Sequence, residues 1–155
     1  MKHYTFRTVV DSELRHAQSD SEFEFLVTTF LNDPSGWNSK GYTFSFSNKN
    51  PDVTIHLSTP KTIVKECGLP ENLSCAELNG DVAYLNSDRW LHGAPKSKLS
   101  LDNYREYMVL HEIGHILGFD HEQCPCAGCD APIMMQQTLG IGKCNPNTKI
   151  TNGRG

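Results

Sequence analysis

The stretch His111-Glu112-Ile113-Gly114-His115-Ile116-Leu117-Gly118-Phe119-Asp120-His121 carries the most information in this chain. An α-helix repeats every 3.6 residues, so His111 and His115, four apart, stand on one face. Two imidazole nitrogens on one face can reach a single tetrahedral ion. Glu112 lies one step round the helix, beside such an ion rather than on it. A carboxylate there suits a general base that takes a proton from zinc-bound water. Gly118 can adopt a positive φ, stop the helix and turn the chain so that His121 swings back as a third ligand. Three protein ligands leave a fourth position for water, the arrangement of catalytic rather than structural zinc. A bare H-E-x-x-H recurs by chance; a glycine and a third histidine at fixed offsets remove most chance matches. The plainer alternative is an amphipathic core helix with incidental histidines. Val109, Leu110, Ile113, Ile116 and Leu117 do read as core, but the histidines occupy a separate stripe and the two readings coexist.

The bulk properties narrow the setting. A chain of 155 residues is one domain by length, with room for a real core. We expect a single domain over 1–155, its N-terminal part running to about residue 118 and a small C-terminal part over about 119–155. A net charge of −4 and a pI of about 5.9 argue against nucleic acid or an anionic membrane as partner. No apolar run is long enough for a transmembrane helix. Met1-Lys2-His3 leads straight into a strand-like stretch, and no signal peptide is visible. Six cysteines nonetheless favour disulfides, so the expected location is secreted or another oxidising compartment. A monomer is expected.

Patterning places the motif in a fold. His3 to Val10 reads as a strand. Ser19 and Ser21, each three residues before a glutamate, are candidate N-caps. They precede a helical run of Phe23, Leu26, Val27, Phe30 and Leu31, which Asn32-Asp33-Pro34-Ser35-Gly36 ends. Tyr42 to Phe46 and Val53 to Leu57 read as strands, the second stopped near Pro60. A loop with Cys67 and Cys75 follows. Leu73 to Leu78 and Val82 to Leu85 then suggest a hairpin about Asn79-Gly80. A loop through Trp90, Gly93 and Pro95 leads to Ser100 or Asp102 as N-cap of the motif helix, expected from about Leu101 to Gly118. The fold class is α+β: a twisted mixed sheet of about five strands, with two main helices on one side and a small, irregular, disulfide-braced C-terminal part.

At His111 to His121 the chain resembles the metzincin metallopeptidases. A second mark is Pro132-Ile133-Met134-Met135. Metzincins carry a tight Met-turn whose methionine lies beneath the zinc site; Met134 matches best, with Met135 the alternative. A soft thioether suits a floor under three imidazoles. Over most of its length the chain is similar to a family of small, largely uncharacterised bacterial metzincin-like domains. The matching pieces are Asp33-Pro-Ser-Gly-Trp37, His56-Leu-Ser-Thr-Pro60, Ser74-Cys75, Asn86-Ser-Asp-Arg-Trp90, Tyr104-Arg105 and the motif itself. They continue through Cys124-Pro125, Ala131-Pro-Ile-Met134, Gln137-Thr-Leu-Gly140 and Cys144-Asn-Pro146. The resemblance implies a zinc-dependent endopeptidase with one catalytic Zn²⁺ on His111, His115 and His121, Glu112 as the catalytic residue, and an extended peptide or protein as substrate. There are departures. Larger metzincins follow the Met-turn with a substantial helix, whereas Gly140, Gly142 and Pro146 here leave room for at most a short helical turn. Several metzincins place a tyrosine just after the Met-turn; Gln136 and Gln137 stand there in this chain.

Cys67 and Cys75 flank one loop and are expected to form a disulfide. Cys124 and Cys144 match a pair in the small-domain family, which implies a bridge holding the segment after His121 to the C-terminus. Cys126 and Cys129 are then left, to pair with each other or to join Cys124 in a second, structural metal site. A different enzyme class also needs weighing. Cys75-Ala76-Glu77 with Pro125-Cys126-Ala127-Gly128-Cys129 resembles a zinc deaminase signature, but its pieces should open helices and leave the histidine motif unexplained. A zinc-binding pseudo-enzyme or binding module is the other alternative; the intact Glu112 argues against it. Asp120 and Glu122 read mainly as solvated charges that flank His121, and His3, His16, His56 and His92 as surface or structural residues.

Overall fold

The computed structural model describes residues 2–68 and 70–150. The fold is α+β, as expected: a mixed five-stranded sheet with four helices. In chain order the elements are β1 (Lys2–Val10), α1 (Asp20–Leu31), β2 (Tyr42–Phe46), β3 (Val53–Ser58), α2 (Pro60–Cys67), β4 (Cys75–Ala76), β5 (Val82–Asn86), α3 (Ser87–His92) and α4 (Leu101–Ile116). The sheet order is β2-β1-β3-β5-β4. All neighbours are parallel except β4 and β5. Ser19 caps α1 by accepting from the Glu22 N–H, and Ser100 caps α4 by accepting from the Asn103 N–H. Each satisfies a donor that the first helical turn leaves free.

Parallel neighbours normally need a long crossover. Between β2 and β3 the chain avoids one through stagger. β2 lies alongside Lys2–Phe6 and β3 alongside Phe6–Val10. The chain therefore leaves one strand and enters the other at the level of Phe6, and residues 47–52 are enough to pass β1. The Ser47 N–H donates to the Phe6 carbonyl, and the Asp52 carboxylate accepts from the Thr5 N–H. The crossovers β1-α1-β2 and β3-α2-β5 step in opposite directions across the sheet, so right-handed connections place α1 and α2 on opposite faces.

The main core lies between the sheet, α1 and α4. Phe23, Val27 and Leu31 recur every four residues along α1 and are buried. Trp90 is fully buried: its edge meets the Phe23 ring, its Nε1–H donates to Gln18 Oε1, and the Arg105 guanidinium lies over its face. α4 is buried on every side from Glu106 to Ile116. It has the sheet and α1 on one side and the irregular C-terminal part on the other, so it has no solvent face for an amphipathic pattern to mark.

Several expectations need correcting. Residues 60–67 form α2, not a loop: Thr59 caps it and Pro60 starts it. Proline at the first helical position gives up an N–H that would have no partner anyway, so Pro60 begins a helix as well as ending a strand. Trp90 lies in α3, capped by Asn86, and α3 is too short to show a periodicity. The expected strand Leu73 to Leu78 is only Cys75–Ala76. Its register with β5 centres on Asn79-Gly80, but the ladder stops early. The Asn79 N–H donates to the His115 carbonyl instead, with Asn79 at φ +57° and the Gly80 N–H closing a turn onto Glu77. The hairpin tip thus caps the end of α4.

The structure contains the disulfides Cys67–Cys75, Cys124–Cys144 and Cys126–Cys129. Cys126 and Cys129 are therefore not free to form a structural metal site. Cys75 lies in a strand and is bonded to Cys67, so the deaminase ligand set is not assembled. Three bridges fit an oxidising environment, and among the described residues no helix is long and apolar enough to cross a membrane. Cys124–Cys144 closes a loop with a sequence separation of 20, and loop-closure entropy puts its contribution at roughly 3 kcal/mol. The paired Cys124→Ser, Cys144→Ser variant should lose about that much in denaturant unfolding; an unchanged midpoint would refute a bracing role.

Candidate metal centre

α4 delivers His111 and His115 from one face, and the helix then stops within one turn. Gly118 takes φ +104°. Its N–H donates to the His115 carbonyl, and the Phe119 N–H donates to the Gly114 carbonyl. This pair of bonds is a Schellman stop, and it swings His121 back toward the helix. The ligand atoms of His111, His115 and His121 all lie within 4.8 Å of one another, with the Nε2 atoms of His115 and His121 3.1 Å apart.

Two of the three tautomers are set by the backbone. His111 Nδ1–H donates to the Ile133 carbonyl and His115 Nδ1–H to the Phe119 carbonyl, each at 2.8 Å. Their Nε2 lone pairs are thereby left for an ion. Burial pushes the His111 imidazole down to about 3 and also lowers His115, which keeps both neutral, as metal ligation needs. Glu112 is buried beside them, and burial raises its carboxyl to about 8. It has no hydrogen-bond partner among the described residues. The chemistry of this donor set fits a divalent ion: three neutral imidazoles, two with tautomers fixed, and an uncommitted carboxyl alongside.

The centre opens into a cleft with three walls. Tyr104, Tyr107 and Met108 of α4 continue one wall back from the histidines. Gln136, Thr138 and Leu139 form the opposite wall, and 73–76, including edge strand β4, form the third. Tyr104 and Thr138 join the first two walls through their hydroxyls at 2.7 Å.

The turn 132–137 holds the centre together. Met134 is buried and Met135 only partly so, packed on the small C-terminal cluster. A Cβ built on Gly114 would fall 2.3 Å from the Met134 Sδ and 2.8 Å from the Trp37 ring, so Met134 is the methionine of this turn packed against α4 at Gly114. Gln137 is fully buried and structural, bonded to Pro132 and Asn147, whereas Gln136 is exposed in the cleft. The Asp120 carboxylate is exposed and accepts from the His121 N–H. The Glu122 N–H donates to the Met134 carbonyl. His56 pairs with Asp11 at 2.5 Å and His3 bonds Thr43 and Ser45, so both serve the sheet.

Sequence reasoning missed Trp37, Tyr107 and Gly114, and also an acid pair formed by buried Glu106 of α4 and partly exposed Asp33. Glu106 and Asp33 share a hydrogen bond, and Lys149 Nζ lies 3.0 Å from Asp33 and 3.7 Å from Glu106. Burial first, then Asp33, raises Glu106 from 4.5 to about 7. Asp33 is held well below the usual carboxylate range, chiefly by its bond to Glu106. A carboxyl whose pKa rises on folding binds more protons in the native state. Its stabilising effect is present below about pH 4.5 and is lost as the pH rises to about 7. Asp33 acts in the opposite sense, losing stability at acid pH. The thermal midpoint of wild type relative to Glu106→Gln should therefore fall between about pH 4.5 and 7; parallel profiles would contradict this.

The fold and centre together define an α+β protein with a three-histidine site suited to a metal ion. The chain belongs to the family described as "Protein of unknown function (DUF3152)", whose model matches residues 1–152. No curated protein matches it in sequence. Among solved structures it is similar to one titled "Structure of Myroilysin", with a TM-score of 0.44 and 16% identity over 84% of this chain. It spans about half that chain's length, 47%.

Proposed function

We propose that this protein is a zinc-dependent endopeptidase. The observation that carries the reading is the buried, uncommitted Glu112 beside three converging imidazoles, in a cleft that edge strand β4 also lines. A purely structural ion has no use for a base there. Zinc bound to His111, His115 and His121 would supply polarisation of the scissile carbonyl and acidification of the attacking water. Glu112 takes the proton from that water and passes it to the leaving amine. The Ile133 and Phe119 carbonyls keep His111 and His115 in the tautomers that ligation needs. An extended peptide adds alongside β4, the edge strand, by main-chain pairing, with one side chain entering the cleft between α4 and 136–139.

The test is metal analysis of the purified chain together with cleavage of an unfolded protein such as casein. One equivalent of zinc, activity lost to a chelator and activity restored by zinc are the expected results. A chain that holds zinc and cleaves nothing would instead be a binding module or pseudo-enzyme.

A further inference from the structure

Three successive carbonyls of the turn beneath the centre are each taken by a different part of the site. Ile133 O accepts from His111 Nδ1. Met134 O accepts from the N–H of Glu122, the neighbour of His121. Met135 O accepts from the Tyr107 hydroxyl at 2.8 Å, and that hydroxyl accepts in turn from the Gln137 N–H at 2.9 Å. Tyr107 is almost wholly buried, and its ring centroid lies 5.2 Å from that of His111, one helical turn further on. The turn thus aims one ligand directly and pins the backbone beside another. Tyr107 is the α4 side chain that clamps the turn on both sides of Gln136.

We infer that Tyr107 is a positioning residue of the metal centre: its hydroxyl fixes the turn that orients His111 and the segment carrying His121. The inference rests on the metal-site reading above. Tyr107 ligates no ion; it acts through the turn that bonds His111 and the neighbour of His121. Losing its hydroxyl leaves the Met135 carbonyl and the Gln137 N–H with only their bond to each other inside the turn, so the turn is free to shift and carry both histidines with it. Groups bonded directly to a ligating histidine typically alter metal affinity by about 10–100-fold, and the Ile133 carbonyl on the turn that Tyr107 clamps is such a group.

Tyr104 provides an internal control. It is equally buried on α4, one turn earlier, but its hydroxyl bonds Thr138 outside the 132–137 turn. The experiment compares wild type, Tyr107→Phe and Tyr104→Phe, each stripped of metal. Zn²⁺ affinity is measured by competition with a chelating dye, and the ligand-field bands are recorded with Co²⁺ in the site. Tyr107→Phe should bind zinc about 10–100-fold more weakly and show altered Co²⁺ bands, while Tyr104→Phe matches wild type in both. Wild-type affinity and bands in Tyr107→Phe would overturn the inference, and so would equal changes in both variants, which would mean a general packing effect. Should Tyr107→Phe fail to fold, 4-aminophenylalanine in place of Tyr107 keeps a donor to the Met135 carbonyl and weakens the clamp. It should then give an intermediate affinity, and an affinity equal to wild type would overturn the inference. A wild-type chain that takes up no zinc would sink the metal-site reading and this inference together. A wild type that binds zinc and cleaves, beside an unaltered Tyr107→Phe, sinks this inference alone.

Discussion

Glu112→Gln is expected to lower peptide cleavage by roughly 10²–10⁴-fold, the usual contribution of a positioned general base, while zinc content stays at one equivalent. Glutamine keeps the size of the side chain and cannot take the proton. Glu112 has no hydrogen-bond partner among the described residues, and burial is the sole cause of its raised pKa. The exchange therefore breaks no structural bond. The three imidazoles are held by contacts that do not involve Glu112: the Ile133 and Phe119 carbonyls, and the stop at Gly118. Parallel measurements of cleavage rate and metal content check this. An unchanged rate would remove Glu112 from the mechanism, and loss of zinc would make it part of the metal-binding structure.

Gly114→Ala should be the most damaging small substitution in α4. On an exposed helix, replacing glycine by alanine gains about 1 kcal/mol. Here the new methyl would lie 2.3 Å from Met134 Sδ and 2.8 Å from Trp37 Cζ2. Met134 is enclosed and has little room to retreat. Trp37 is held by its Nε1–H bond to the Leu110 carbonyl at 2.8 Å and by the Phe119 ring stacked on it at 4.9 Å. Moving Trp37 disturbs Phe119, whose carbonyl sets the His115 tautomer. Overpacking of this kind costs about 1–3 kcal/mol, so a net loss of stability and weaker zinc binding are both expected. Denaturant unfolding and zinc titration read them separately. Adding Met134→Ala should recover part of the loss, since the two changes share one space and will not add. A Gly114→Ala protein as stable as wild type would mean that the packing yields more easily than these contacts imply.

The parts of the fold legible from sequence were those with a local signature. The β1, β2, β3 and β5 stretches alternate or run apolar between turn residues, and the structure places them within a residue or two. α1 showed its period because one side faces water. α4 was marked by its motif and by Ser100, not by amphipathicity, since the surrounding structure buries it on every side. β4 and α3 escaped for the opposite reason: elements of two and six residues are shorter than any period. The Asn79-Gly80 signal located the hairpin but not its tip, because the Asn79 N–H goes to α4 and not to the strand ladder.

At the centre, spacing alone was enough to nominate His111, Glu112, His115, Gly118 and His121. All of them lie within one helix and the turn that ends it, where 3.6-residue geometry fixes who faces whom. The choice of Met134 over Met135 needed the packed structure, because adjacent residues in a turn differ only in what lies opposite them. The same holds for Gly114, Trp37 and Tyr107. Trp37 meets α4 across a separation of 73 residues, and Tyr107 meets the turn across 28. No periodicity spans such distances. The chain's local order thus names the three histidines that converge and the carboxyl beside them. Long-range packing alone determines which turn lies beneath them, which carbonyls aim them, and how little space is left beside Gly114.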